Sequence, residues 1–354
     1  MKLIKSLPNN ILFLLIVVLF STKVFIYIII TNNLLNISLG GGDDANYYDS
    51  YALGYADIAV NIWPVILRYL NSIDLYYREG ISYIFLFFNL FIIPIITNKI
   101  SGISFKFDQK YYLFSFLICL VYPTLFFFTF DIYRDVFMLF SFLLSCLIVK
   151  KCLNSSSYLL FLSLFLLSLV MGLFLLGLRP YLGYAFLLAL FLWKLKLTKR
   201  RLLIFFVLYM LSLFIANYLG VFKVLTDYRT GFEESESGST LGLDFSNPIM
   251  FIPNLFLSML GQLFGLYITN PFAIILFFIE TVPFSFMIAY IIKNIKLADS
   301  FVRFLIIFFV LYASVWLIGN DNLGTALRLR FYNYFSVYIC FFYILRLKKL
   351  HLKK

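Results

Sequence analysis

Histidine, cysteine and charge are all scarce in this sequence. The single histidine, His351, lies in a basic tail, which argues against histidine-based acid–base catalysis and against histidine metal clusters. The four cysteines lie in or beside apolar runs and include no CxxC pair, so no disulfide framework is predicted. We therefore expect neither a metal site nor a cofactor. Charged residues make up only 13% of the 354 residues, so little of the chain is suited to face water.

Apolar residues dominate instead, at 63% of the chain with a mean hydropathy of +0.95. Soluble domains are about 45–50% apolar, so the sequence predicts a membrane protein. Its spans are predicted as helices, because a lipid-exposed backbone must satisfy its own hydrogen bonds. The fold class is an all-α, polytopic transmembrane helical bundle forming one integral membrane domain over 1–354. The ten predicted spans are 11–30, 81–98, 111–129, 136–149, 157–177, 181–193, 202–219, 271–292, 301–318 and 331–346.

The distribution of basic residues predicts the orientation of these spans. Twenty of the 29 lysines and arginines lie at the two termini and in every second connection. Because basic residues favour the cytoplasmic side, both termini are predicted to be cytoplasmic. The first run is too long for a signal peptide and is interpreted as a retained span of a multi-pass protein in the bacterial inner membrane. The net charge of +12 then reflects topology, and no nucleic acid partner is expected.

Two long segments are predicted to lie outside the cytoplasm, near 31–80 and 220–270. Fourteen of the 17 acidic residues fall on that side. Residues 250–268 are apolar enough to span, to re-enter or to lie in the interface. Long loops on a rigid scaffold commonly carry function, so the site is predicted there.

Arginine is enriched among the predicted outer basic residues, seven of nine, whereas sixteen of the twenty inner ones are lysine. Arginine binds phosphate and carboxylate through a bidentate fork that lysine lacks. Five of these arginines precede descending spans, where free helix N–H groups add to an anion site. They are Arg78, Arg134, Arg179, Arg328 and Arg330.

Arg134, Arg179, Arg328 and Arg330 are accordingly predicted to converge on one anion. The alternative is that the arginines pair with neighbouring acids, of which Glu79, Asp131, Asp135 and Asp321 are available. Two further outer arginines, Arg68 and Arg229, lie away from the predicted helix starts and are expected to tolerate alanine better than these four arginines.

Acidic and aromatic residues open the first outer segment. Asp43 and Asp44 follow three glycines, and either could act as a general base, bind a metal or simply cap a helix. Tyr47 and Tyr48 are candidates for stacking on sugar rings.

Two ionisable residues are predicted at mid-bilayer, Lys23 and Glu280. Such residues are functional candidates by default. A structural ion pair between them is an equally good interpretation.

Several of these motifs resemble those of the bacterial O-antigen and capsule polymerases (the Wzy type) and the related exopolysaccharide polymerases. One departure is the late outer loop, which carries only Lys223 and Arg229 where family members often have more arginines. The motifs that carry the resemblance are Gly41-Gly42-Asp43-Asp44-x-x-Tyr47-Tyr48, Tyr133-Arg134-Asp135, Leu178-Arg179-Pro180-Tyr181 and Arg328-x-Arg330.

The resemblance implies glycosyl transfer on the periplasmic face, joining undecaprenyl-diphosphate-linked repeat units into polysaccharide. It is compatible with the GT-C architecture of membrane glycosyltransferases, and it implies membrane lipid and a chain-length regulator as partners. Asp43, Asp44 and Arg179 are the expected catalytic residues. Arg78, Arg134, Asp135, Arg328, Arg330, Tyr47 and Tyr48 are the expected residues that bind diphosphate or sugar.

Two other functions remain open at the level of sequence. One is an outer-face glycosyltransferase that uses a polyprenyl-phosphate sugar donor, for which metal-binding acids in the first outer loop would be typical. The other is a flippase for the same lipid-linked units, which would be expected to carry more basic residues within its spans.

Overall fold

A computed structural model describes residues 7–32, 34, 42–196, 198–234 and 239–351. Within them, the side chains of residues 43, 199, 232–234 and 351 are not described. The described residues are predominantly helical, and their one β contact is an antiparallel bridge between Thr240 and Asn322. The chain divides into two compact units, Met1–Gly183 and Tyr184–Lys354. The prediction of one integral membrane domain stays a prediction.

The first unit consists of helices of very different lengths, with one helix crossing into the second. A π-helical turn, Phe88–Ile92, interrupts α4. The helices are α1 (Asn9–Thr31), α2 (Gly42–Ala52), α3 (Ile62–Ser72), α4 (Arg78–Ser101), α5 (Phe105–Val121), α6 (Pro123–Phe127), α7 (Arg134–Leu153), α8 (Tyr158–Leu178) and the start of α9 (Pro180–Leu192).

The second unit contains the rest of α9 and seven further helices. Two of these contain π-helical turns, Met259–Leu263 in α12 and Phe277–Thr281 in α13. The helices are α10 (Lys199–Tyr218), α11 (Lys223–Glu234), α12 (Pro248–Leu263), α13 (Pro271–Lys293), α14 (Ser300–Gly319), α15 (Leu323–Leu329) and α16 (Phe331–His351).

Nine of the ten predicted spans each overlap one helix, whereas 111–129 overlaps both α5 and α6. Among the described residues, seven helices are long and apolar enough to cross a membrane. These seven are α1, α4, α7, α8, α10, α13 and α14. The other three predicted spans correspond to α5, α9 and α16. The first two have only 17 and 13 residues, whereas α16 has 21 residues but is rich in tyrosine and ends in a basic segment. The all-helical character is thus confirmed, the seven apolar helices are consistent with a membrane bundle, and the count of ten spans stays a prediction.

The helix starts follow from local chemistry. Pro180 begins α9, where its missing N–H leaves no hydrogen bond unmade. Asn270 accepts a hydrogen bond from the Ala273 N–H at the start of α13, and Asn322 does the same for Thr325 at α15. These side chains satisfy N–H groups that the first helical turn leaves open.

Each unit has its own packing pattern. In the first unit, α7 packs against α8 and α4, and α5 packs against α1 and α4. In the second unit, α16 packs against α13 and α14, and residues 331–345 of α16 are all buried. A helix that is buried on every side needs little amphipathic pattern. The buried tyrosines of α16 accordingly occur on more than one face of the helix. We conclude that α16 is the central helix of its unit.

The described parts of both predicted outer segments contain helices. Residues 31–80 include α2 and α3, which pack against each other. Residues 220–270 include α11 and α12. The apolar stretch near 250–268 forms mostly α12, which is shorter than the seven candidate spans.

Candidate functional site

Arg78, the first residue of α4, lies at the centre of a polar cluster in the first unit. Its guanidinium donates two hydrogen bonds to Asp131, at 2.8 and 2.6 Å. It also contacts Asp49 at 3.3 Å and donates to Asn46 at 2.9 Å, both on α2. The side chains of Arg78 and Asp131 are 32% and 25% exposed. Arg78 therefore ties α2 to the segment that precedes α7 while remaining in contact with water.

Tyr76 extends this cluster, because its hydroxyl donates to the second oxygen of Asp49 at 2.5 Å. Burial raises the pKa of Tyr76 well above its usual value, and the hydrogen bond to the Asp49 carboxylate raises it further. Tyr76 thus stays a neutral donor to Asp49.

Arg179 and Arg134 lie at neighbouring helix starts in the same unit. Arg179 precedes α9 and lies 3.7 Å from Asp135, and both side chains are buried. Arg134 begins α7 and donates to the carbonyl of Leu178 at 3.1 Å. The structure therefore brings together three predicted site residues, Arg134, Asp135 and Arg179. It also confirms the alternative that Arg179 pairs with a neighbouring acid, as Arg78 does.

The acids and tyrosines of the first outer segment lie on α2. The side chain of Asp43 lies outside the described residues, and Asp44 is half-buried. The Tyr47 hydroxyl donates to the carbonyl of Ile58 and accepts from the Val60 N–H at 3.2 Å. Tyr48 is buried, so its ring is not open to a ligand in this structure. The proposed roles of these four residues stay predictions.

The second unit contains a cavity of about 280 Å³ that sequence reasoning did not identify. Its walls come from the end of α12, the start of α13, α15 and Arg330. Six of the residues that line it are Gln262, Gly265, Asn270, Phe272, Asn322 and Arg330. Polar and aromatic side chains thus meet around one concave space, which is the usual character of a small-ligand site.

Arg330 is the charged residue on the wall of this cavity, directly before α16. Its guanidinium donates to Glu280, and both side chains are buried. The guanidinium also lies 5.2 Å from the centre of the Tyr334 ring. Gly265 has a left-handed φ of 59°, and a Cβ there would lie 3.1 Å from Nη1 of Arg330. Arg330 is therefore fixed from three sides.

Glu280 was expected either to serve a function or to pair with Lys23. Its carboxylate accepts from Arg330, as described above, whereas Lys23 donates to Asn89 at 3.1 Å within the first unit. Lys23 also lies 4.8 Å from the centre of the Phe126 ring. Both charges are thus held by polar or aromatic neighbours within their own units.

The sequence analysis placed Arg229, on α11, outside the site. In the structure, however, its guanidinium makes an extensive set of hydrogen bonds. It forms an ion pair with Asp321 and donates to the carbonyls of Leu243, Leu317 and Asn320. Its side chain is only 2% exposed. We therefore correct the expectation that Arg229 tolerates alanine, because removing it would leave several buried acceptors unsatisfied.

This network reaches the wall of the cavity. Asp321 also accepts from the N–H of Gly242 at 2.9 Å, and the N–H of Leu323 donates to the carbonyl of Ser239 at 2.9 Å. Asn320 donates to Gln262, which lines the cavity. The Arg229 network therefore fixes the segment after Ser239 against the chain that leads into α15.

Asp244, farther along this segment, is held in its ionised form. Hydrogen bonds from the side chain and backbone N–H of Ser246 lower the pKa of its carboxyl group.

Each of the three π-helical turns contains a buried polar residue. These residues are Asn89 in α4, Gln262 in α12 and Glu280 in α13. A π-helical turn widens the helix by one residue and often occurs at functional sites. Two of the three lie beside the cavity, and no local sequence signal distinguishes them from ordinary helix.

Arg328 is half-buried in the last turn of α15. Both Arg328 and Arg330 therefore precede the last helix, as the sequence indicated. The prediction that they bind one anion together with Arg134 and Arg179 stays a prediction.

Among the described residues, histidine, cysteine and acidic side chains form no group of three or more that could hold a metal ion. Comparisons with protein-family models, with curated proteins and with solved structures found no match to this chain.

Proposed function

We propose that this chain is a membrane glycosyltransferase that polymerises undecaprenyl-diphosphate-linked oligosaccharide repeat units into O-antigen or capsular polysaccharide. The reaction takes place on the periplasmic face of the bacterial inner membrane. The observation that carries the proposal is the polar and aromatic cavity of about 280 Å³ within a unit of long apolar helices. A lipid-linked glycan needs both environments, because its tail is apolar and its head is polar.

The arginines at helix starts support the same chemistry. The leaving group of the reaction is a diphosphate, and positive charge placed at its developing anion lowers the barrier. Arg134 and Arg179 lie at adjoining helix starts, and because Asp135 is the one acid of this cluster, the three side chains together carry one net positive charge. The proposal assigns this cluster to the diphosphate and assigns Asp43 or Asp44 as the base for the acceptor hydroxyl.

Deletion of the gene, followed by a gel of the surface polysaccharide, tests the proposal. A polymerase deletion leaves lipid A-core that carries one repeat unit, whereas a flippase deletion leaves none. Unchanged polymer would refute both functions. Reporter fusions at Gly238 and after Lys354 test the orientation, and cytoplasmic activity at Gly238 would contradict it.

Complementation with Asp43→Asn/Asp44→Asn tests the assigned base. The double variant is expected to lower polymer formation by about 10²–10⁴-fold, the usual contribution of a general base. Asp57→Asn, an exposed change in the same outer segment, is the control. Normal polymer from the double variant would show that the two acids only cap α2. Loss of wild-type activity on chelation, with rescue by a divalent metal, would favour the polyprenyl-phosphate-dependent transferase.

A further inference from the structure

The cavity of the second unit has an unusual balance of charge for a site near a lipid-linked diphosphate. Of the described residues that line it, Arg330 alone is charged. Glu280 lies behind Arg330, is 0% exposed and accepts a hydrogen bond from it. The positive charge on the cavity wall is therefore already balanced by a negative charge in direct contact.

A balanced ion pair is a poor receptor for a multiply charged anion. A diphosphate that entered the cavity would lose its bound water. In exchange it would contact a single guanidinium, that of Arg330, which remains bonded to Glu280. Burying an anion without an equivalent countercharge is strongly unfavourable. The buried Glu280 carboxylate would also repel it. The charges thus disfavour phosphate and leave an uncharged ligand as the better match.

The rest of the lining suits a sugar ring. Asn270 and Asn322 supply amide groups, each of which can donate and accept more than one hydrogen bond. Tyr267 and Phe272 supply aromatic surface and are 47% and 62% exposed. Hydroxyl groups of a sugar bind to amides, and its apolar face packs on aromatic rings. The volume is close to the lower limit of ordinary ligand pockets, about 300 Å³, which limits the occupant to a small part of a glycan.

We infer that this cavity binds an uncharged sugar residue of the glycan and that the diphosphate binds elsewhere, which removes Arg330 from the anion site predicted for Arg134 and Arg179. Arg330 then donates hydrogen bonds to sugar oxygens, and Glu280 acts as a positioning residue that fixes the guanidinium and cancels its charge. The inference rests on the proposed function for the identity of the glycan, but the preference for an uncharged sugar over diphosphate follows from the cavity alone.

Binding to the purified full-length protein in detergent micelles provides the test. Saturation-transfer NMR is measured with glucose, N-acetylglucosamine and rhamnose as neutral probes, and with glucuronate as a matched charged sugar. Phosphorus NMR is measured with inorganic diphosphate. Ala273→Phe places a ring in the cavity, because Ala273 lines it near the start of α13. Ile275→Phe lies on the same helix, is exposed and does not line the cavity, so it is the control.

We expect at least one neutral sugar to bind to the wild type and to Ile275→Phe, and its signal to fall at least tenfold in Ala273→Phe. Glucuronate and inorganic diphosphate should show no binding that Ala273→Phe removes. Glu280→Gln, which removes the negative charge of Glu280 from the guanidinium, should gain at least tenfold in affinity for inorganic diphosphate.

Three results would overturn the inference. The first is diphosphate or glucuronate binding to the wild type that Ala273→Phe abolishes. The second is the absence of binding by every neutral probe. The third is a folded Glu280→Gln variant with no gain in diphosphate affinity. Failure of the proposed function is separate, because unchanged polymer in the deletion strain together with neutral-sugar binding would refute the polymerase and leave this site intact.

Discussion

Arg78 and Arg229 are both paired with aspartate, but in different surroundings. The Arg78 and Asp131 side chains are 32% and 25% exposed, whereas those of Arg229 and Asp321 are 2% and 0% exposed. Water can replace a lost partner in the first pair and cannot in the second. The same type of ion pair therefore contributes little to the free energy of unfolding in the first unit and much more in the second.

The largest effect is expected from Arg229→Ala. Removing one partner of a buried pair costs about 3–5 kcal/mol, because the other charge stays buried without compensation. Arg78→Ala should cost about 1 kcal/mol or less, as is usual for partly exposed pairs. Thermal unfolding of the purified variants in detergent measures both changes.

Arg68→Ala is the control for this pair of variants, since Arg68 is an exposed arginine that contacts the Tyr51 ring. Asp321→Asn should lose much of the same stability, and the double variant should lose far less than the sum. Equal destabilisation by Arg78→Ala and Arg229→Ala would show that burial does not distinguish the two ion pairs.

Arg179→Lys tests whether a buried arginine is needed for its shape or only for its charge. Lysine keeps the charge but loses the planar fork that matches carboxylate and phosphate. The variant should reduce polymer formation by about tenfold to a hundredfold, which corresponds to the roughly 1.5–3 kcal/mol of a charged hydrogen bond. A polysaccharide gel of the complemented deletion strain measures this.

Arg68→Lys serves as the exposed counterpart and should leave polymer formation unchanged. A normal amount of polymer from Arg179→Lys would show that charge alone suffices at this position. It would also remove Arg179 from the expected catalytic residues.

Gly265→Ala tests how tightly Arg330 is held. Gly265 has a φ of 59°, where an L side chain costs about 1–2 kcal/mol, and the added Cβ would also meet the Arg330 guanidinium. Gly220 has a similar φ of 73° but nothing within 4 Å of an added Cβ, so Gly220→Ala measures the backbone cost alone. Gly265→Ala should therefore lower the unfolding temperature more than Gly220→Ala does. Equal shifts would mean that Arg330 has room to move.

The sequence predicted the helices better than it predicted their polar contacts. Apolar runs and Pro180 located the spans because membrane helices are determined by local composition. The partner of Arg229 could not be predicted, since Asp321 lies 92 residues away and only packing brings them together. The π-helical turns were missed for a similar reason, because Gln262 and Glu280 lie in ordinary apolar helical sequence. The sequence offered α2 only as an alternative, the helix that Asp43 or Asp44 could cap, because its residues are polar; packing against α3 compensates for this.

The smallest effect is expected from Tyr76→Phe, which removes one hydrogen bond from the partly exposed Arg78 cluster. At pH 8 the loss should be about 0.5 kcal/mol, the lower end of the net value of a hydrogen bond, because water reaches this cluster. The change also has a pH signature, because burial and Asp49 raise the pKa of Tyr76 in the folded state. The unfolded chain releases this proton near pH 10, whereas the folded chain retains it. The contribution of Tyr76 is therefore fully present below about pH 10 and decreases as the pH rises further.

The stability difference between wild type and Tyr76→Phe should accordingly narrow between about pH 10 and pH 11, measured by thermal unfolding at each pH. Tyr55→Phe, a change at an exposed tyrosine, is the control. Parallel stability curves for wild type and Tyr76→Phe across this range would show that Tyr76 releases its proton as readily in the folded chain as in the unfolded one, and that water reaches the Arg78 cluster more freely than its burial indicates.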